Sequence, residues 1–258
     1  MSSLSRITVY PIKSLDGHEL TSCKVLPNGA LAGDRRYALV DAWGKYVNGK
    51  NCAAIHGIRS TYCNDLKSVT LAHDLRQETF QLETEQAGIA HWCSEVLEKK
   101  CRLIENDDGG YPDDCDSPGP TVVSTATLAL VASWFDWLDL DETRRRFRFN
   151  LELSEVPAFW EDSLVAEAHQ VSRFRLGSLT WQGHGLCQRC VVPTRNSQDG
   201  AVAESFARDF VRYREEALPA WAPRERFDHF YRLGVNTRID LGDQGGTLSV
   251  ADPVEKIH

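Results

Sequence analysis

The stretch Gly185-Leu186-Cys187-Gln188-Arg189-Cys190-Val191-Val192-Pro193-Thr194-Arg195-Asn196 sets two thiols, two guanidiniums, a hydroxyl and a proline in one short run. The reactive form of cysteine is the thiolate, and a neighbouring positive charge favours it. Arg189 beside Cys190, with Arg195 further on, supplies such a field. Soft thiolates suit transition-metal centres, while arginine forks suit phosphate or a polar heterocycle. The run therefore reads as a thiolate ligand among anion-binding groups. Its flanks bear on the fold. A thioredoxin-like redox pair opens a helix after a strand. Here the strand-like Phe174–Trp181 feeds Gly183 to Cys190, and β-branched Val191-Val192 followed by Pro193 predicts an extended chain afterwards. A zinc knuckle needs a second ligand pair. The other six cysteines are scattered, and His184 has no second histidine near it. Plain burial of both thiols as small hydrophobes stays open.

Outward from this run, short strands outnumber helices. Arg6–Tyr10, Tyr37–Asp41, Val69–Ala72, Thr79–Glu83, Cys101–Ile104, Phe149–Leu153, Leu233–Ile239 and Thr247–Val250 carry β-type patterns. Ala42–Lys45 reads as a hairpin connection. Arg146 and Arg148, placed in a strand, would share a face. Three segments have helical spacing: Ile89 to Leu97, a run capped by Ser124 with Leu128, Val131, Ala132, Phe135 and Leu138, and a run with Phe206, Phe210, Tyr213 and Ala217. The expectation is a β-rich, barrel-like α+β protein. Glu105 to Pro120 mixes acids with glycine and proline and reads as a solvated acidic loop or domain boundary. Its carboxylates do not match a calcium loop.

At 258 residues, one large or two intimate domains are expected. A formal charge of −8 argues against nonspecific nucleic-acid or anionic-membrane binding. Met1-Ser2-Ser3-Leu4-Ser5-Arg6 runs into a strand with no apolar signal core, and Leu128 to Phe135 is too short to span a membrane. Eight cysteines without a secretion signal suggest reduced thiols, hence a cytoplasmic protein.

Four ordered motifs carry a family resemblance: Tyr10-Pro11-Ile12-Lys13-Ser14, Gly33-Asp34-Arg35-Arg36-Tyr37, Arg146-Phe147-Arg148-Phe149-Asn150, and Cys187-Gln188-Arg189-Cys190-Val191-Val192-Pro193-Thr194-Arg195. Glu161-Asp162-Ser163 and Ala251-Asp252-Pro253-Val254 add to them. Over nearly its whole length the chain resembles the MOSC family, named for the C-terminal domain of molybdenum cofactor sulfurase. Its two-domain members include the mitochondrial amidoxime reducing component and its bacterial relatives. The resemblance implies an N-terminal β-barrel domain over residues 1–118 packed against a barrel-like MOSC domain over 119–258. It implies a molybdenum cofactor, Mo-molybdopterin, with Cys190 as the metal's thiolate and the catalytic ligand. Lys13, Ser14, Arg35, Arg148, Gln188 and Arg189 match the positions that hold the pterin and its phosphate, with Ser124 and Asn150 carried over on local pattern. The implied activity is reduction of N-hydroxylated small molecules such as amidoximes, hydroxamates and hydroxylamines. The chain ends at His258 without a ferredoxin domain, so electrons are expected from a separate, ferredoxin-like donor protein. Asn196 stands where aspartate is frequent, and Ala251 where glycine is usual. The alternatives are a sulfur carrier or cofactor-handling protein bearing a persulfide on Cys190, and a non-catalytic cofactor-binding or zinc module.

Overall fold

The computed structural model describes residues 2–167, 170–240, 242–243 and 245–257. Met1 and His258, on which the reading of the chain ends rested, lie outside them. The strands of the first part are β1 (Ser3–Val9), β2 (His18–Leu20), β3 (Ser22–Val25), β4 (Tyr37–Val40), β5 (Arg59–Tyr62), β6 (Ser68–His73) and β7 (Arg76–Gln81). Helix α1 (Gln86–Val96) and β8 (Arg102–Glu105) follow. Then come β9 (Val122–Ser124), α2 (Thr125–Ser133), α3 (Leu140–Phe147), β10 (Leu151–Ser154), β11 (Ser172–Leu176) and β12 (Leu179–Gln188). Helix α4 (Phe206–Glu216) precedes β13 (Arg232–Ile239), β14 (Gly246–Ser249) and β15 (Val254–Ile257). The protein is a β-rich α+β fold.

Eight strands make the largest sheet, in the order β15-β11-β12-β13-β9-β10-β1-β2. It takes β1 and β2 from the start of the chain and its other strands from beyond residue 121. Strand β1 lies antiparallel to β10, pairing Ser3 with Ser154 and Ile7 with Leu151, and β10 runs parallel to β9. Alternation along β1 turns Leu4, Ile7 and Val9 inward, where they pack with Val122, Leu151, Phe174, Trp181 and Val235. A second core, built from residues between Ile12 and Leu103, holds the β5-β6-β7 sheet and the β4-β8 pair against α1. Helix α1 forms there because Ile89, Ala90, Trp92 and Cys93 fall on one buried face. A third core gathers α2, α4 and Phe147 around stacked aromatic rings, with Phe135 and Phe206 centred 4.8 Å apart.

The structure departs from the sequence reading in three places. Arg144 to Phe147 belong to a helix, not a strand. Asp139 caps α3 by accepting from the Glu142 amide at 2.6 Å, acids fill its first turn and arginines its last. Arg146 and Arg148 consequently do not alternate on a strand face: Arg148 is the left-handed residue that ends the helix, at φ 56°. Phe174 to Trp181 is not one strand but the hairpin β11–β12, turning at Gly177-Ser178 with Leu176 opposite Leu179. Finally, the chain after Cys190 is not extended; Val192–Thr194 form a 3-10 turn with proline in its first positions.

Ala251 also has left-handed backbone, φ 75°, which explains why glycine suits that position. Among the described residues no helix is long and apolar enough to cross a membrane.

Candidate functional site

The first two motifs are knitted together by main-chain bonds. The Arg35 amide donates to the Tyr10 carbonyl at 2.9 Å, the Tyr37 amide to Pro11 at 2.9 Å, and the Lys13 amide to Tyr37 at 2.7 Å. The Asp34 carboxylate accepts from the Tyr10 amide at 2.8 Å and pairs with the Arg35 guanidinium. The third motif docks on the first through Tyr10. Its hydroxyl donates to the Phe149 carbonyl at 3.1 Å, and the guanidinium carbons of Arg148 and Arg35 lie 4.1 and 5.2 Å from its ring centre. Burial pushes the Tyr10 phenol up to about 12, so it remains a neutral donor beneath two cations.

Lys13, Asp34, Arg35 and Arg148, held by these contacts, line a cavity of about 550 Å³. Of the nine residues singled out from the sequence, eight line it: Lys13, Ser14, Arg35, Arg148, Asn150, Gln188, Arg189 and Cys190. Ser124 does not. It is fully buried as the cap of α2, where its hydroxyl accepts from the Thr127 amide at 3.0 Å. Its carry-over to the ligand site therefore stops at the helix terminus: the oxygen satisfies an orphan amide inside the core, away from the cavity. Asn150 reaches the cavity with its side chain bonded to the surrounding main chain. Its carbonyl oxygen accepts from the Thr121 amide and hydroxyl at 3.2 and 3.1 Å, and its amide nitrogen donates to Thr8 at 3.0 Å. It pins the floor in place.

Three of the lining residues, Ser14, Arg35 and Arg148, have left-handed backbone at φ 76°, 51° and 56°. Each such residue costs about 1–2 kcal/mol unless it is glycine. Strain of this kind collects where a fold over-determines a site. The conformations aim a hydroxyl and two guanidiniums at one space.

Charge is unbalanced there. Arg35 is matched by Asp34, and Lys13 by Asp113. Arg148 and Arg189 have no carboxylate partner among the described residues. Arg148 donates to the Leu15 carbonyl at 2.7 Å, and burial pulls its pKa down. Arg189 donates to the Phe147 carbonyl, while its Nε is buried without a hydrogen bond. Two uncompensated guanidiniums and an orphaned donor form a site whose electrostatics call for an anion.

The two thiols differ. Cys187 is buried, donates to the Asn236 side chain at 2.9 Å, and has its pKa pushed up to about 12 by burial. Cys190 is partly exposed and opens into the cavity beyond the end of β12. Among the described residues, no three His, Cys, Asp or Glu side chains gather as a metal set, so the pair has no further ligands with which to make a zinc knuckle.

Sequence reasoning missed several lining residues: Lys50, His56, Arg146, Asn236 and, from the acidic loop, Asp113, Asp114 and Cys115. The Asp139-x-x-Glu142 capping pattern could have located α3, and with it Arg146. No local signal marks the others, which arrive through tertiary contacts.

With the geometry described, comparison with known proteins defines a class first. Residues 1–91 match the family model described as the MOSC N-terminal beta barrel domain, which bears out the MOSC resemblance. Beyond that class, the chain is similar to the molybdenum cofactor sulfurase of Danio rerio, with 25% identity over 236 residues. The match covers 73% of this chain and 27% of the relative, so the chain spans only about a quarter of that protein's length.

Proposed function

We propose that the cavity holds a phosphate-bearing, pterin-based molybdenum cofactor, and that the protein is an oxidoreductase acting on N-hydroxylated small molecules. The observation that carries this reading is the opening of Cys190 into the same cavity as the unpaired guanidiniums of Arg148 and Arg189. A soft thiolate suits the metal, and the guanidinium forks suit an anionic, planar heterocycle. Lys13 and Arg35, each beside a carboxylate, would add hydrogen-bond donors to the same cavity, and the Arg189 Nε is a donor that the protein leaves unused. The relative's printed name points to the same cofactor.

When bound, such a group supplies a two-electron redox centre; the protein supplies orientation and electrostatics. Reducing a hydroxylamine, R–NHOH, takes two electrons and two protons, breaks the N–O bond and yields R–NH₂ and water. A separate redox protein is the proposed electron source. On this reading Cys190 anchors the metal. Cys187, held protonated by burial and bonded to Asn236, fixes the strand end behind it.

The test separates the two thiols. Wild-type protein should purify with molybdenum and pterin and reduce a model amidoxime or hydroxylamine with an artificial electron donor. Cys190→Ser should lose that reduction, and Cys187→Ser should keep most of it. Equal loss in both would point to a dithiol. A second reading, sulfur transfer through a persulfide on Cys190, is favoured by the relative's name and by the accessibility of that thiol. It predicts sulfur-adducted Cys190 by mass spectrometry and no reduction even with molybdenum bound.

A further inference from the structure

Between β8 and β9, residues 106–121 form neither helix nor strand, yet they do not hang free in solvent. The segment is fastened at both ends. At one, the Tyr111 amide donates to the Arg35 carbonyl at 2.9 Å, and Gly110 packs so tightly on the Asp34 and Arg35 carbonyls that a Cβ has no room. At the other, Gly119 lies against the Thr237 carbonyl with equally little space, and the Thr237 hydroxyl donates to Pro120 at 2.7 Å. Both glycines are required by close backbone approach. Gly110, at φ 69°, also needs left-handed freedom.

The middle of the segment is held differently, mostly by side chains. Asp113 accepts from Lys13 Nζ at 2.8 Å and lies 3.3 Å from Lys50 Nζ. Asp114 accepts from the Asn236 side chain at 3.1 Å, and Arg238 donates to the Asp116 carbonyl. Lys13 Nζ also donates to the Tyr111 carbonyl at 2.8 Å. Asp113, Cys115 and Asp116 are exposed, whereas Lys13 is buried. One carboxylate thus sits on two ammonium groups at the mouth of a cavity that otherwise carries unpaired positive charge.

We propose that residues 111–118 are a strap latched by Asp113, and that a phosphate-bearing ligand enters by taking Lys13 and Lys50 from that carboxylate and opening the strap about its fixed ends. The inference rests on reading the cavity as a phosphate-holding site. A phosphate monoester brings close to two negative charges at neutral pH against the single charge of Asp113, so the exchange favours dianions. A carboxylate monoanion has no such advantage. Asp113 is then a selectivity element as well as a latch.

The probe is inorganic pyrophosphate, titrated calorimetrically into full-length protein made in a host unable to synthesise pterin cofactors. Asp113→Asn should bind it at least tenfold more tightly than wild type. Asp114→Asn, which removes an equal charge from the same cavity but not the latch, should change affinity less than threefold. Hydrogen exchange of the wild-type peptide spanning 110–119 should quicken on adding pyrophosphate, while β8 and β9 stay protected. Equal gains in the two variants would reduce Asp113 to one charge among others and overturn the latch. Tighter binding with unchanged exchange would overturn strap opening. Equal pyrophosphate affinity in wild type and Asp113→Asn defeats the latch but leaves the anion site standing; no binding to any form defeats both.

Discussion

Replacing Arg148 should separate folding from ligand retention. The side chain makes one charged hydrogen bond, to Leu15 at 2.7 Å, and lies 4.1 Å from the Tyr10 ring centre. A hydrogen bond to a charged group is worth about 1.5–3 kcal/mol, and a cation–π contact about 0.5–2 kcal/mol. Against these stands the left-handed backbone at φ 56°. Glycine would relieve it by about 1–2 kcal/mol. Arg148→Gly should therefore lose about 0–4 kcal/mol of stability, with about 2 kcal/mol at the centre of that range, against a total of about 5–15 kcal/mol. At about 2–4 °C per kcal/mol for a chain of this size, the central loss lowers Tm by roughly 4–8 °C, and the largest by no more than about 16 °C. Ligand binding should suffer more. Removing one partner of a charge pair that the ligand buries costs about 2–5 kcal/mol, or about 30- to 4,000-fold in affinity. The assay is molybdenum and pterin content per mole after purification, with thermal denaturation alongside. Arg148→Ala, which keeps the backbone strain, should lose the same ligand and melt lower still. Full cofactor content in both variants would refute the reasoning, because the guanidinium would then be only a brace on Tyr10.

Three further outcomes follow from the structure. Ala251→Gly should stabilise the protein by about 1 kcal/mol, since alanine holds a left-handed conformation at φ 75° there; a lower Tm would show that the methyl group matters more than the strain. Glu161 is fully buried, neither carboxylate oxygen has a hydrogen bond of normal geometry, and burial raises its pKa from 4.5 to about 8. The folded state then keeps a proton that the unfolded chain releases, so stability should fall as pH rises from 4.5 toward 8. Glu161→Gln should flatten that slope, with a higher Tm at pH 8 and little change at pH 4.5, as pH-dependent calorimetry can establish. Cys187→Ala should lower Tm more than Cys187→Ser, because serine can still donate to Asn236.

The sequence showed most of the site but less of its frame. The Lys13, Arg35, Arg148 and Cys190 motifs were legible together through the family resemblance, since Lys13 and Arg35 taken alone read as well as ordinary surface groups, and the fold brings all four to one cavity. Ser124 was read correctly as a cap, but its side chain is fully buried and does not line the cavity, so it is not placed to touch a ligand there. Helix α3 was hidden because its arginines resemble a charged strand edge, although Asp139 and Glu142 spell out its start. The hairpin at Gly177-Ser178 went unseen although the apolar alternation changes phase there, from Phe174 and Leu176 to Leu179 and Trp181. Asp113 was legible only as part of an acidic loop. Its partners Lys13 and Lys50 lie 100 and 63 residues away in the chain, and no local pattern encodes such a contact.

The pairing of β1 with β10 sets a timetable for synthesis. Val9 ends the first strand, and its neighbour in the sheet begins at Leu151. At about 5–20 residues per second, a ribosome needs roughly 7–28 s to make the intervening chain. During that interval β1 has only the three-residue β2 to pair with, through Ile7, Thr8 and Val9, and the rest of the eight-stranded sheet is still to come, while the core between Ile12 and Leu103 can already close. The face of β1 that β10 covers is thus made early and closed late, and that edge stays open to chaperones and to other nascent chains until β10 emerges.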